Sequence, residues 1–179
     1  MISESKIIVR YQETDQMGIA HHSVYPVWFE VARTDFIKML GVTYSEIEKM
    51  GVMLPLTEVT CKYYKGTRYE DELTVTARVL SVSPSRMTFG YQVLLPGEKR
   101  PVSEGTTSHG FVDSGTFRAM NLKKRFPKLY QDLFDSIEPR ERRGAKSRVL
   151  EQLPGGGEKA ELRRKLTFHK ARRKASAEG

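Results

Sequence analysis

One long apolar helix, followed by four strands with no helix between them, constrains the fold of this chain more than any other feature. The helix is predicted to begin at the N-cap Ser23 and to end at Gly41. Its apolar stripe consists of Val24, Trp28, Val31, Phe36 and Met39. Such a stripe needs a large apolar surface to cover it, and a curved sheet wrapped around the helix provides one. Other α+β folds are also compatible with this order of elements.

The strands are predicted at residues 7–9, 52–64, 73–82, 87–95 and 102–112. The clearest of them, 73–82, alternates apolar and polar side chains with period two, which is typical of a half-buried strand. Short turns join the later strands and favour an antiparallel sheet. Thr43 and Glu46 have the spacing of a capping box, which predicts a short helix, and a last helix is predicted at 124–137.

The stretch from Arg10 to Arg33 carries several chemically distinct residues at the spacing of one known family. They are Tyr11, Glu13, Thr14, Asp15, Gly18, His22, Tyr25, Phe29, Glu30 and Arg33. The stretch resembles the hotdog-fold acyl-CoA thioesterases, the family that includes 4-hydroxybenzoyl-CoA thioesterase. The resemblance implies an α+β hotdog fold, with an antiparallel sheet of about five strands around the long helix. It also implies hydrolysis of a thioester to a free acid and coenzyme A, with no cofactor.

Asp15 lies just before a helix N-terminus, whose unpaired amides attract negative charge. Thioester hydrolysis needs a group that activates water or attacks the carbonyl, and donors where the oxyanion forms. By resemblance, Asp15 supplies the first function as base or nucleophile, and the backbone amide of His22 supplies the second. Taken alone, Asp15 is better interpreted as a cap of the following turn or a partner of Arg10, and the His22 side chain could simply pack or form a local hydrogen bond.

Five further residues are candidates for substrate binding. Gly18 would allow a tight turn and a close approach of the substrate. Tyr25 would either line the acyl pocket or pack in the core. Glu58 lies on a predicted strand where the pockets of this family close. Lys65 and Arg68 would either meet the phosphates of coenzyme A or form a solvated face.

Three other polar features have structural interpretations. His21 and His22 suggest a metal at first, but adjacent side chains point in different directions and no third ligand has a clear spacing, so no metal site is predicted. Glu30 and Arg33 lie three residues apart on the helix and are expected to pair. His109 lies on a predicted strand and is interpreted as a hydrogen-bonded residue of the sheet.

The net charge of +8 is concentrated in the C-terminal part of the chain. Residues 1–137 hold 17 Lys and Arg against 16 Asp and Glu, whereas residues 138–179 hold 13 against 6. We therefore predict a hotdog thioesterase domain at 1–137 and a basic, flexible extension at 138–179. Nucleic acid is not an expected partner of the folded domain, because a nucleic-acid-binding domain carries its basic patch on its own face.

Location and partners can also be predicted. No apolar run approaches the roughly 18 residues that span a bilayer, and the N-terminus lacks a signal-peptide pattern. Together with the single cysteine, Cys61, these features predict a cytoplasmic protein. The resemblance implies an acyl-CoA substrate and an active site shared between subunits, in a homodimer or homotetramer. Two alternatives stay open: an acyl-carrier-protein thioesterase, or a non-catalytic hotdog binding protein whose basic tail engages an acidic partner.

Overall fold

The computed structural model describes residues 1–138, which form a five-stranded antiparallel sheet around one long helix. The strands are β1 (Ser3–Ile8), β2 (Val52–Met53), β3 (Leu56–Tyr63), β4 (Glu72–Val82), β5 (Arg86–Leu94), β6 (Ser103–Gly110) and β7 (Val112–Asp113). The large sheet has the order β1-β4-β5-β6-β3, and β2 pairs with β7 separately. This arrangement confirms the predicted hotdog fold. The predicted extension at 138–179 lies, except for Glu138, outside the described residues.

The helices are α1 (Tyr25–Met39), α2 (Tyr44–Lys49), α3 (Leu122–Arg125) and α4 (Pro127–Asp135). None of these helices is long and apolar enough to cross a membrane. The prediction that Ser23 is the N-cap is wrong: residues His22–Val24 form a 3-10 turn, and the Ser23 amide donates to Nδ1 of His21. The long helix ends before Gly41, which has a φ of +79°, as predicted. The capping box that begins at Thr43 is confirmed.

The buried face of α1 differs from the predicted stripe. Its buried side chains are Tyr25, Trp28, Phe29, Ala32, Phe36 and Ile37. Val31 and Met39, which belong to the predicted stripe, are 40% and 51% exposed. Instead, Phe29 stacks on Tyr91 of β5, with ring centroids 4.5 Å apart. The helix therefore packs on the sheet through a face that is rotated relative to the prediction.

Prolines divide two of the predicted elements. The single strand predicted at 52–64 is interrupted at Pro55 and becomes β2 and β3. The last helix predicted at 124–137 is interrupted before Pro127 and becomes α3 and α4. The residue before this proline, Phe126, has a φ of −136° and a ψ of 69°, because a following proline disfavours the helical conformation.

A buried polar cluster joins α1 to the sheet. His109 on β6 is 1% exposed, and its Nε2 lies 2.9 Å from both Nη1 of Arg33 and Oγ1 of Thr107. Its Nδ1 donates to the carbonyl of Leu54 at 3.1 Å. Burial and the nearby Arg33 guanidinium lower the pKa of His109 to about 4, so the ring is neutral at neutral pH. The interpretation of His109 is confirmed, whereas Arg33 is directed to His109 rather than to Glu30.

Candidate active site

Glu13 holds the loop between β1 and α1 in place. Its side chain is 4% exposed and accepts hydrogen bonds from the amide of Arg10 at 2.8 Å, from Nη2 of Arg10 at 2.7 Å and from Nε1 of Trp28 at 3.1 Å. Burial alone would raise the pKa of Glu13, but these hydrogen bonds outweigh burial and hold the pKa below its usual range. Arg10 therefore pairs with Glu13 and not with Asp15.

Asp15 begins a tight turn that leads towards α1. Its amide donates to the carbonyl of Ile19 at 3.0 Å, and its carbonyl accepts from the amide of Gly18 at 2.9 Å. Its Oδ1 accepts from the amide of Met17 at 2.8 Å, so one carboxylate oxygen caps the turn. Gly18 has a φ of +71°, in the left-handed region that glycine adopts without strain. The second oxygen, Oδ2, makes no hydrogen bond with residues 1–138.

The backbone of His22 is held in place by hydrogen bonds of the groups on both sides of its amide. The amide of His21 donates to the carbonyl of Glu13 at 2.7 Å, and the carbonyl of His21 accepts from the amide of Val24 at 3.0 Å. The carbonyl of His22 accepts from Oη of Tyr63 at 3.0 Å. Within the described part of the chain, the His22 amide itself has no hydrogen-bond partner. A fixed, free N–H of this kind can stabilise a developing oxyanion.

Asp15 and His22 line the same cleft, which has a volume of about 220 Å³. Much of its wall is aromatic and includes Tyr25, Tyr63 and Tyr64. Tyr25 is only 2% exposed, so it both lines the cleft and belongs to the core. The cleft therefore combines an aromatic wall, which suits an acyl group, with two residues that have the groups needed for thioester hydrolysis, Asp15 and His22.

The cleft brings together some of the residues selected from the sequence, namely Asp15, His22, Tyr25 and Lys65. Lys65 also forms an ion pair with Glu98. Gly18 shapes the loop instead of lining the cleft. Glu58 is exposed and, opposite Ser108, lies on the face of β3 that points away from α1. Arg68 is exposed outside the cleft, so neither Glu58 nor Arg68 converges with Asp15 within one chain.

Two residues that hold the site were not selected from the sequence. Glu13 was noted only as part of the motif, although a carboxylate two residues before Asp15 is a usable signal. Tyr63 lies at the end of β3, on the face that Val59 and Cys61 share. That alternation places Tyr63 towards α1, but it does not reveal that the hydroxyl reaches His22.

All residues that line the cleft lie within the part of the chain that matches a known family model. A family model described as the thioesterase-like superfamily matches residues 9–138. The putative acyl-CoA thioesterase YneP of Bacillus subtilis is 37% identical over 126 residues, which are 70% of this chain and 91% of that protein. The acyl-acyl carrier protein thioesterase ATL3 of Arabidopsis thaliana is 28% identical over 101 residues, which are 56% of this chain and 53% of that protein. The solved structure of a DHNA-CoA thioesterase from Staphylococcus aureus has a TM-score of 0.69 and 29% identity, and the match covers 84% of this chain and 93% of that one.

Proposed function

The chain belongs to the thioesterase-like superfamily, and we propose that it hydrolyses its acyl-CoA substrate with Asp15 as base or nucleophile and the His22 amide as oxyanion donor. The enzyme is a thioester hydrolase, in agreement with its 37% identity to a putative acyl-CoA thioesterase. One observation supports the proposed residues most: Asp15 and His22 line one cleft, and within residues 1–138 Oδ2 of Asp15 and the backbone amide of His22 have no hydrogen-bond partner.

Two routes use the same atoms. As a general base, Oδ2 of Asp15 takes a proton from water while the water oxygen bonds to the thioester carbon. The carbonyl oxygen becomes negative and is stabilised by the His22 N–H, a donor typically worth about 3 kcal/mol in the transition state. The carbon–sulfur bond then breaks and releases the thiolate of coenzyme A. As a nucleophile, the carboxylate attacks the carbon itself, the carbon–sulfur bond breaks with release of the thiolate of coenzyme A, and water cleaves the resulting anhydride.

Coenzyme A is the favoured carrier of the acyl group. The similarity to the putative acyl-CoA thioesterase is higher, and covers more of the chain, than the similarity to the carrier-protein thioesterase. Lys65 lines the cleft, and we propose it as the cation that meets the phosphates of coenzyme A. Gly18 and Tyr25 are proposed to shape the acyl site, whereas Glu58 and Arg68 would need a second subunit to reach it.

A comparison of the two carriers tests this assignment. We expect kcat/KM for coenzyme A thioesters to exceed that for carrier-protein thioesters of the same acyl groups by at least about tenfold. The panel spans graded chain lengths and benzoyl-CoA, and the release of free thiol gives the rate. Faster hydrolysis of the carrier-protein thioesters would favour the alternative that the chain is an acyl-carrier-protein thioesterase. The absence of hydrolysis with every thioester would favour the non-catalytic binding protein.

We also propose that two copies associate through strand β3. Among residues 1–138, β3 is an edge strand of the large sheet and pairs only with β6, so its outer backbone groups can pair with another strand. Its side chains Leu56, Val59 and Tyr63 are 52%, 42% and 48% exposed. The exposed charges of β3, Glu58 and Lys62, lie on the other face of the strand, opposite Ser108 and Glu104. A two-fold symmetric pairing of β3 with itself would cover this apolar edge.

A lysine on each edge strand tests the association. Val59→Lys should shift the protein from a dimer or tetramer towards a monomer, because a charged side chain on an edge strand opposes pairing. The matched control is Ile8→Lys on β1, where the wild-type side chain is 61% exposed. Light scattering during size-exclusion chromatography measures the mass. An unchanged mass for Val59→Lys, or a loss of association with Ile8→Lys, would place the interface elsewhere.

We also propose a cytoplasmic location and a solubilising C-terminal extension, and composition supports both. The single cysteine, Cys61, supports a cytoplasmic location, since proteins of oxidising compartments commonly use disulfides. The excess of positive charge in residues 138–179 supports an appendage that improves solubility and is separate from the catalytic domain.

A further inference from the structure

Tyr63 reaches from the edge of the sheet to the start of α1. It is the last residue of β3, and its hydroxyl donates to the carbonyl of His22 at 3.0 Å. Its ring packs edge-on against the ring of Tyr25, with centroids 5.0 Å apart, and Tyr25 packs in turn on Trp28 at 4.7 Å. The buried Tyr25 ring therefore fixes the direction in which the Tyr63 hydroxyl points.

We propose that Tyr63 is a positioning residue for thioester hydrolysis, which holds the His22 backbone so that its free N–H faces the developing oxyanion. This inference rests on the proposed role of the His22 amide. The N–H and the carbonyl of His22 flank one Cα, so anchoring the carbonyl restricts the backbone rotation that would turn the N–H away. The preceding residue, His21, is already anchored through Glu13. With both sides fixed, the donor needs no reorganisation when charge develops.

The same hydrogen bond has an electrostatic effect. The carbonyl oxygen of His22 carries a partial negative charge on the same residue as the proposed oxyanion donor, and the Tyr63 hydroxyl dipole offsets that charge. Desolvation of the phenol raises the pKa of Tyr63, and Cys61 beside it on β3 raises the pKa further. The hydroxyl therefore keeps its proton at neutral and moderately alkaline pH and continues to donate.

Tyr63 contributes little that β3 needs for its own stability. Its backbone is already paired with Ser103 on β6, and its side chain is 48% exposed. Removal of one partly exposed hydroxyl should thus leave the fold intact, because a single hydrogen bond makes a small net contribution to folding. The effect of the hydroxyl should appear in the transition state rather than in the folded state.

Tyr63→Phe keeps the ring and removes only the hydroxyl. We expect kcat to fall by about tenfold, with KM changed by less than about twofold and an unchanged melting temperature. The matched control is Tyr69→Phe, because Tyr69 is 50% exposed, packs on Tyr11 and lies outside the cleft. The control should retain wild-type kinetics. An unchanged kcat in Tyr63→Phe, or a loss carried entirely by KM, would overturn the proposal.

A spectroscopic measurement separates this inference from the proposed function. In an Asp15→Asn background, bound acyl-CoA persists, and the stretching frequency of its thioester carbonyl reports polarisation by the His22 amide. We expect the shift to lower frequency to be smaller when Tyr63→Phe is added, and an unchanged shift would overturn the positioning function. If Asp15→Asn itself hydrolyses the substrate at the wild-type rate, the proposed catalytic assignment fails instead.

Discussion

Replacing Asp15 by asparagine should lower kcat by about 10³-fold and leave the loop in its present shape. Asparagine keeps a side-chain oxygen that can accept from the amide of Met17, so the turn is retained. Its amide group can neither take a proton from water nor attack a carbonyl carbon. Initial rates of thiol release from an acyl-CoA measure the loss, and far-ultraviolet circular dichroism checks the fold.

Two further variants distinguish the loss of a catalytic carboxylate at Asp15 from the loss of a turn cap. Asp71→Asn is the matched control, because Oδ2 of Asp71 caps another turn by accepting from the amide of Arg68 at 2.7 Å. It should keep the wild-type rate. Asp15→Ala removes both the charge and the cap. If Asp15→Asn is as active as wild type and only Asp15→Ala is impaired, Asp15 is a turn cap and another group activates the water.

Glu13→Ala should lower the free energy of unfolding by about 3 kcal/mol. The substitution leaves a cavity and removes the acceptor of the buried Trp28 indole N–H, which no longer has a partner. The partly exposed Arg10 can turn to solvent, so it adds little to the cost. Urea denaturation followed by circular dichroism, at one protein concentration, measures the change. Glu4→Ala on β1, an exposed position, should alter stability by less than about 0.5 kcal/mol.

The contribution of Glu13 to the free energy of unfolding should decrease as the pH falls. Since its pKa is lowered by folding, the folded state binds fewer protons than the unfolded state as the pH falls through the usual glutamate range. The stability that Glu13 contributes is complete above that range and is lost below it. The difference between wild type and Glu13→Ala should therefore shrink between about pH 7 and about pH 3. A difference that stays constant or grows would contradict a stabilising carboxylate.

Most helices and strands could be predicted because they depend on residues that are close together in the sequence. The period-two pattern of β4 and the capping box of α2 are local, and both are confirmed. The buried face of α1 is not local, because Val31 and Met39 are apolar and yet exposed. A helix with apolar side chains on more than one side does not reveal which side meets the sheet, and only packing against β4 and β5 decides it.

The same distinction applies to the candidate site. Asp15 and His22 lie seven residues apart, so one short motif predicts them together. Tyr63 contacts His22 across 41 residues of the chain, and that contact depends on the register of β3 with β6. The side of β3 on which Glu58 lies was not predictable for a related reason, since it follows from a register shift between Leu56 and Glu58 that the sequence does not show.

The contact between Trp28 and Glu13 makes the intrinsic tryptophan fluorescence of the protein sensitive to the structure around the candidate site. Trp28 is the only tryptophan in the chain. Fluorescence excited at the long-wavelength end of tryptophan absorption therefore comes from this residue alone. The indole is shielded from solvent, donates to a carboxylate and lies against Tyr25, which borders the cleft. The intensity and the wavelength of this fluorescence should therefore change when the contact between the Glu13 loop and α1 changes, and no attached dye is needed.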